Sequence, residues 1–404
     1  MKVDKTKVYQ INKSTILNMI RLEGPISKTE LSKRIGLSIP TIMKITSDFL
    51  NSGLIRVLGK ANSTGGKPAE LLEFIPNSHY LIGINIGRHN LNGVIMDLSA
   101  NIIAKESCKT GDVLPESLLV EKVISLVNSL INKSKIKQEA FLGMGVAMPG
   151  ILENGKVLFS PDFSWENYDL LSELSNYFDW LNISIDNSNR LLALGEHWFG
   201  SGVGATSLFC VNLGYGIGSA IIENGIIVKG SSGTAGEFGH YVLEKNGELC
   251  SCGNRGCLES VASGNAIART AQEKVKNGEI TTINNAVNDV TDIEAKVVFD
   301  EMRKGDKVAT DIVKYAVEGI GIALSSCINL LDPEYIILSG GLVKSNDLYL
   351  PYLKEVVRKN QMPYAGRKLE IRIGSLGDYG ASVGAATLVL KKFIENGGKI
   401  DPIA

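Results

Sequence analysis

A chain of 404 residues, 44% hydrophobic and 21% charged, is too long for one ordinary core and too apolar for disorder, so two or three globular domains are expected. No apolar run approaches the ~18 residues of a membrane span, and the polar start from Met1 to Gln10 lacks the apolar stretch of a signal peptide; a cytoplasmic protein with no membrane partner is expected. The net charge of −1 conceals an asymmetry, because residues 1–70 hold 12 Lys and Arg against 5 Asp and Glu, a balance that suits a polyanion partner for that segment alone.

In chain order, the first pattern is helical. STILNMIRLEG places Ile16, Leu17 and Ile20 at near-helical spacing and stops at Gly24-Pro25. SKTELSKRIG opens on Ser27 with Glu30 three residues later, the signature of a capping box, and stops at Gly36. SIPTIMKITSDFLNSG opens on Ser38 with Pro40 in its first turn, turns Ile42, Ile45, Phe49 and Leu50 inward, and ends at Gly53. LIRVLGKANSTGGKPAELLEFI then reads as two strands around a Gly-, Ser- and Lys-rich tip. Together these make a winged helix–turn–helix over residues 1–76. The short Gly36-Leu37-Ser38 turn sets the third helix across the second, so its N-terminus can enter a major groove. Ser38, Pro40, Thr41 and Lys44 are expected to face bases and phosphates of double-stranded DNA, with Lys60 and Lys67 on the wing meeting the backbone or the minor groove. The stretch resembles the winged helix–turn–helix at the N-terminus of sugar-responsive bacterial repressors.

From Tyr80 the pattern changes. YLIGINIGRHNLNGVIMDLSANIIAKE reads as strand, turn at Gly87, strand, turn at Ser99–Asn101, strand. SLFCVNLGYGIGSAIIENGIIVKG repeats that order around Gly214–Gly218 and Glu223–Gly225. A duplicated β-β-β-α-β unit implies two related α/β lobes around a cleft. The architecture looks like the actin and hexokinase type, a ribonuclease H-like body, with lobes at 77–194 and 195–384 and the first completed by a C-terminal helix at 385–404. Tight glycine turns at strand ends can bring backbone N–H groups against phosphates. GDYGASVGAATLVL reads as a helix whose small residues suit close packing or the admission of an adenine.

Three of the six cysteines gather in one loop, and the other three, Cys108, Cys210 and Cys327, stand alone as expected of reduced, buried thiols. His240, Cys250, Cys252 and Cys257 follow H-x9-C-x-C-x4-C, with Gly253 and Gly256 to turn the loop. Four such ligands suit tetrahedral zinc, and a full set of protein ligands leaves no position for water, so the ion is expected to be structural.

The run from Glu237 to His240 followed by Cys250-x-Cys252-Gly253-x-x-Gly256-Cys257-Leu258-Glu259 is similar to the signature of the ROK family of repressors, open reading frames and sugar kinases. With the winged helix ahead of it, the resemblance covers nearly the whole chain. It implies a hexokinase-like body whose cleft holds a sugar on Asn187, Glu237, His240 and Glu259, residue types that satisfy vicinal hydroxyls by paired hydrogen bonds. His240 would then serve zinc through one ring nitrogen and the sugar through the other.

Against the kinases of that family the sequence departs in three places. Their E-N-D-A-N stretch corresponds here to Asp186-Asn187-Ser188-Asn189-Arg190, with Ser188 at the general-base position; a hydroxyl takes no proton at neutral pH without a base of its own. Their first phosphate turn, D-x-G-G-T-K, corresponds to Asn85 through Asn90, and their second, L-G-T-G-x-G, carries Tyr215. No catalytic residues are therefore assigned. The expected function is a sugar-responsive transcriptional repressor of carbohydrate-utilisation genes, acting as a homodimer or dimer of dimers on an operator. The N-terminal half most resembles xylose-repressor-type members, and relatives answer also to glucose, N-acetylglucosamine and other sugars, so the resemblance puts xylose among the candidate inducers and leaves the sugar open. The alternatives are an active ATP-dependent sugar kinase with an appended DNA-binding domain, and a repressor controlled by a sugar-transport protein.

Overall fold

The protein is described from a computed structural model covering residues 4–60, 69–111, 115–364 and 368–399. Helix α1 (Lys5–Glu23) begins earlier than its apolar spacing suggests, because the Asp4 carboxylate caps it by accepting from the Thr6 N–H at 2.9 Å. A two-residue strand β1 (Ile26–Ser27) leads into α2 (Lys28–Ile35), capped by Ser27, which accepts from the Glu30 N–H at 3.1 Å. Only that half of the expected capping box forms, since the Glu30 carboxylate pairs forward with Arg34 at 2.6 Å. Gly36, at φ 76°, ends α2 in the left-handed conformation that glycine adopts without strain, and α3 (Ile39–Asn51) follows from its Ser38 cap. Its inward face is Ile42, Ile45, Thr46 and Phe49; Leu50, one step round the helix, is half-buried. Strands β2 (Ile55–Lys60) and β3 (Glu70–Phe74) join β1 in a sheet of order β1-β3-β2. The wing tip, with Lys67, lies outside the described residues.

The body repeats one plan. The first lobe runs β4 (Tyr80–Ile86), β5 (Asn90–Asp97), β6 (Ile102–Lys109), α4 (Glu116–Ser134) and β7 (Phe141–Met148). A small meander follows, β8 (Ile151–Glu153), β9 (Lys156–Ser160) and β10 (Trp165–Tyr168), and then α5 (Leu170–Tyr177), β11 (Ile183–Asn187) and α6 (Ser188–Phe199). The second lobe runs β12 (Ser207–Leu213), β13 (Ile217–Glu223), β14 (Ile226–Ile227), α7 (Leu258–Ala262), α8 (Gly264–Lys276), α9 (Ala295–Arg303) and α10 (Lys307–Leu331). It ends with β15 (Tyr335–Ser339), α11 (Asn346–Asn360), β16 (Glu370–Ile373) and α12 (Gly380–Glu395). The sheets are ordered β11-β7-β4-β5-β6 and β14-β13-β12-β15-β16. Counted within each lobe, both place the third, second, first, fourth and fifth major strands side by side. The first three pair antiparallel through tight turns, and the later two pair parallel, which requires a crossover helix such as α4 or α10. Every residue of β7 is buried, as in a strand covered on both faces.

Two elements tie the lobes to each other and to the winged module. Helix α12 returns to the first lobe, packing on β4, β7 and α6. Its small residues serve that packing: Ser382, Gly384, Ala385 and Ala386 are all buried. A Cβ added at Gly384, Gly145 or Gly83 would approach backbone of a neighbouring element closer than 3.0 Å. The far end of α12 carries Phe393 and Ile394 into a cluster with Ile16, Leu17, Phe49 and Leu54 of the winged module and Leu81, Met96, Leu98 and Leu142 of the first lobe. The second tie is α6, which runs through the expected lobe boundary at 194–195 and contacts strands of both sheets. Among the lone thiols Cys210 is buried and Cys327 half-buried, but Cys108 is exposed, because it sits on the edge strand β6. No helix among the described residues is long and apolar enough to cross a membrane.

Candidate functional site

The candidate site begins where β11 ends. Asn187 caps α6, its Oδ1 accepting from the N–H groups of Asn189 at 2.9 Å and Arg190 at 3.3 Å, while Nδ2 donates to the Gly150 carbonyl at 2.9 Å. The amide is thereby fixed in orientation, with one Nδ2 hydrogen left to offer a ligand. Beside it, the buried Asp186 carboxylate takes Arg190 at 2.9 Å and Lys229 at 2.7 Å. Both oxygens of Asp186 are thereby held by cations. The second arm of Arg190 donates to the Gly233 carbonyl, so the triad anchors the loop leading to Glu237 against α6.

Glu237 is exposed, and its Oε2 lies 3.9 Å from His240 Nε2. Glu259, in α7, reaches the second glycine turn: its Oε2 accepts from the Ile217 N–H at 2.8 Å, and its Oε1 accepts from Ser251 Oγ at 3.4 Å. Gly216 gives that carboxylate room, since a Cβ there would approach Glu259 Oε2 closer than 3.0 Å. Asp162 faces Glu259 from the meander of the first lobe. Burial, and then the negative charge of Glu259, push its carboxyl above the usual range, with Arg88 and His89 opposing. A carboxyl that keeps its proton longer can donate as well as accept.

The two altered glycine turns meet. His89 packs edge-on against Tyr215, ring centroids 4.8 Å apart at 75°, and Arg88 donates to the Asp162 carbonyl. The first-lobe turn and the second-lobe turn therefore touch where the kinase resemblance places phosphates. Asp162, the Asp186–Arg190–Lys229 triad and the His89–Tyr215 contact were not read from sequence. Asp186 and Arg190 stand four apart, the spacing of a helical ion pair, but across a strand–helix junction that spacing has no such meaning.

In the loop between Glu237 and Glu259 the four expected metal ligands converge. One ligand atom from each of His240, Cys250, Cys252 and Cys257 lies within 4.8 Å of the others. Cys252 Sγ and Cys257 Sγ are 3.7 Å apart, and Cys250 Sγ is 3.6 Å from His240 Nδ1. Bond lengths of about 2.3 Å to sulfur and about 2.0 Å to nitrogen in a tetrahedron require ligand separations of about 3.5–3.8 Å, so the residues fit such an ion. His240 turns Nδ1 to this cluster and Nε2 to Glu237. Burial raises both the Cys250 and Cys257 thiols, the latter to about 12.

On the winged module, Ser38 Oγ accepts from the Thr41 N–H at 3.4 Å and meets Thr41 Oγ1 at 2.9 Å. Pro40 is exposed and Thr41 half-buried. The Lys44 ammonium lies 5.4 Å from the centroid of the Tyr9 ring on α1, and Lys60 is the last residue of β2.

A model described as the ROK family matches residues 81–392, and one described as winged helix-turn-helix DNA-binding matches residues 11–56. The chain is 28% identical over 395 residues to the DNA-binding transcriptional dual regulator NagC of Escherichia coli, spanning 96% of this chain and 94% of that protein. It is 28% identical over 393 residues to a xylose repressor of Bacillus spizizenii, spanning 97% and 98%. Among solved structures, a ROK family transcriptional regulator, a homologue of the E. coli MLC protein, superposes with TM-score 0.83 at 23% identity, over 97% of this chain and 98% of that one. A ROK family glucokinase from Streptomyces griseus, solved with glucose and AMPPNP, superposes with TM-score 0.69 at 26% identity, over 76% and 98%.

Proposed function

Because the chain belongs to the ROK family and carries a winged helix–turn–helix ahead of the family domain, we propose that it is a transcriptional repressor of carbohydrate-utilisation genes whose inducer, a free sugar, binds between the lobes. The observation that carries the reading is α6. Its first turn is capped by Asn187 in the cleft, and its last turn presents Trp198 to the winged module, where the Arg21 guanidinium lies 4.6 Å from the indole centroid. Its 12 residues span ~18 Å. Arg21 is half-buried there and hydrogen-bonded to Asn18, and burial lowers its pKa to about 10.

The domains are then residues 1–76 for DNA, 77–194 with the C-terminal helix for the first lobe, and 195–384 for the second. Glu237, His240 and Glu259 on the second lobe and Asn187 on the first bind sugar hydroxyls, so ligand draws the lobes together and biases α6. His240, Cys250, Cys252 and Cys257 hold zinc in a structural role, and the ion supplies rigidity to the loop between the two carboxylates. Ser38, Pro40, Thr41 and Lys44, with Lys60 and Lys67 of the wing, meet operator DNA. Two chains pair, setting two such modules about one helical turn, ~34 Å, apart on a palindromic site. Such a regulator acts in the cytoplasm, and the relatives' names favour xylose or N-acetylglucosamine among the sugars to try first. The body transfers no phosphate, in keeping with Ser188 at the base position and the His89–Tyr215 contact between the phosphate turns.

The reading is tested by fluorescence anisotropy of the full chain on DNA from upstream of its own gene, with free sugars titrated at fixed salt. Release by one sugar supports it; binding indifferent to every sugar counts against it. Glu237→Gln is expected to weaken the sugar response about 10- to 100-fold, the worth of a hydrogen bond to a charged group, while leaving DNA affinity unchanged. Trp198→Ala is expected to leave sugar binding measurable by calorimetry yet cut sugar-induced DNA release by a factor of about 2 to 30, the range of a cation–π contact. Trp198→Phe, which keeps a ring under Arg21, should recover most of that coupling; a full response in Trp198→Ala would remove α6 from the route.

A further inference from the structure

The outward face of α3 has an unusual chemistry for a helix that reads bases. Its inward face is a filled core, Ile42, Ile45 and Phe49 being fully or nearly fully buried. Most of its polar side chains have contacts within the module: Ser38 and Thr41 hold each other, Lys44 lies over Tyr9, and Asp48 accepts from Tyr9 Oη at 3.2 Å and from Lys13 at 3.4 Å, while Ser47 faces water. What remains facing water includes Ile39, 39% exposed, and Met43, 54% exposed, one turn apart on the same stripe, with Pro40 beside them. From Ser38 to Leu50 there is no Arg, Asn or Gln, the side chains that read guanine or adenine by paired hydrogen bonds.

An apolar stripe on a recognition helix has one apolar feature to meet on a base edge in the major groove, the 5-methyl group of thymine. We propose that Ile39 and Met43 read thymine methyl groups, one on each of two nearby base pairs of every half-site. The inference rests on the DNA-binding reading above and names which residues carry specificity within it. The side chains lie ~6 Å apart along the helix, about one or two steps of a duplex with ~3.4 Å rise. The basic balance of residues 1–70 brings the duplex to this face, and the lysines hold backbone without regard to sequence. Exposed apolar side chains are common on surfaces, but a stripe on the outward face of α3, beside Ser47 and the residues proposed above to meet the operator, is suited to the groove.

The test begins with duplexes recovered from a random pool by the full-length chain. Each thymine is then replaced in turn by uracil, which lacks only the methyl group, and affinity is read by anisotropy at fixed salt. The expected result is about a fourfold loss at one or two positions of each half-site, the worth of one buried methyl-sized group. Met43→Ala should bind more weakly, lose the uracil effect at its own position, and keep the salt dependence of the wild type. Met43 is exposed, so its truncation leaves the core intact. Uniform affinity across all uracil duplexes would overturn the proposal, as would a Met43→Ala protein with every uracil effect intact. Recovery of no duplex at all would instead strike the DNA-binding reading beneath it.

Discussion

Gly384→Ala is expected to destabilise the chain by about 3 kcal/mol or more, above the usual cost of an added core methylene. The new Cβ would point at the Leu191 carbonyl oxygen and carbon, closer than 3.0 Å to both, where α12 lies directly on α6. The obstacle is backbone rather than the end of a flexible side chain, so relief requires shifting one helix off the other. Neither helix is free to move alone. Helix α12 also covers β4 and β7, and α6 carries Trp198 under Arg21. Urea unfolding would show the loss as a lower midpoint, and because Phe393 and Ile394 reach into the winged module, that module should loosen in the same transition. Gly341→Ala is the control, since a Cβ at that position would meet nothing within 4 Å. Equal midpoints for the two variants would mean that α6 and α12 do not approach so closely in solution.

Loss of the proposed zinc is expected to be the second large effect. Between Tyr241 and Gly256 the loop has no helix or strand of its own among the described residues; it is held by single bridges, Val242 to Cys257 and Leu249 to Arg255, by turn hydrogen bonds, and by side-chain contacts such as Tyr315 to Glu244 and Ser251 to Glu259. Cys257, fully buried, is the ligand nearest to α7 and hence to Glu259. Cys257→Ser is expected to reduce zinc from one ion per chain to a trace by atomic emission, to lower the melting temperature by several degrees, and to abolish the sugar response. DNA affinity should persist, because the winged module draws its core from the first lobe. The raised thiols of Cys250 and Cys257 hold their protons when no cation is present, so binding must expel protons and should weaken as pH falls. A metal-free protein that still answers to sugar would exclude this role.

Local features were legible in the sequence because their causes are local. The Ser27 and Ser38 caps, the left-handed turn at Gly36 and the inward face of α3 follow from residue type and 3.6-residue spacing. The cysteine spacing pointed to four residues whose ligand atoms do converge, and the repeated hairpins foretold two sheets of one topology. The hidden features depend on partners far along the chain. Pattern shows that α1 has an apolar face, but not that Phe393 will share it. Tyr215 is visible as a bulky residue in a glycine turn, but its His89 neighbour belongs to the other lobe. The start of α1 was missed for a local reason: Lys5 to Gln10 is a mostly polar run, and only the Asp4 cap marks it as helical.

The core shared by the winged module and the first lobe makes residue 76 a poor place to cut. A fragment beginning at 77 would strip Ile16, Leu17, Phe49 and Leu54 from the cluster that Phe393 and Ile394 share with them, and a fragment ending at 76 would leave Leu17 and Phe49 without that end of the last helix. Such pieces should aggregate rather than behave as independent modules. Transplanting this module's DNA preference onto a different sensor is therefore not a matter of joining two chains at a linker. The graft must carry the last helix with it, or the recipient must already possess a surface of the same shape.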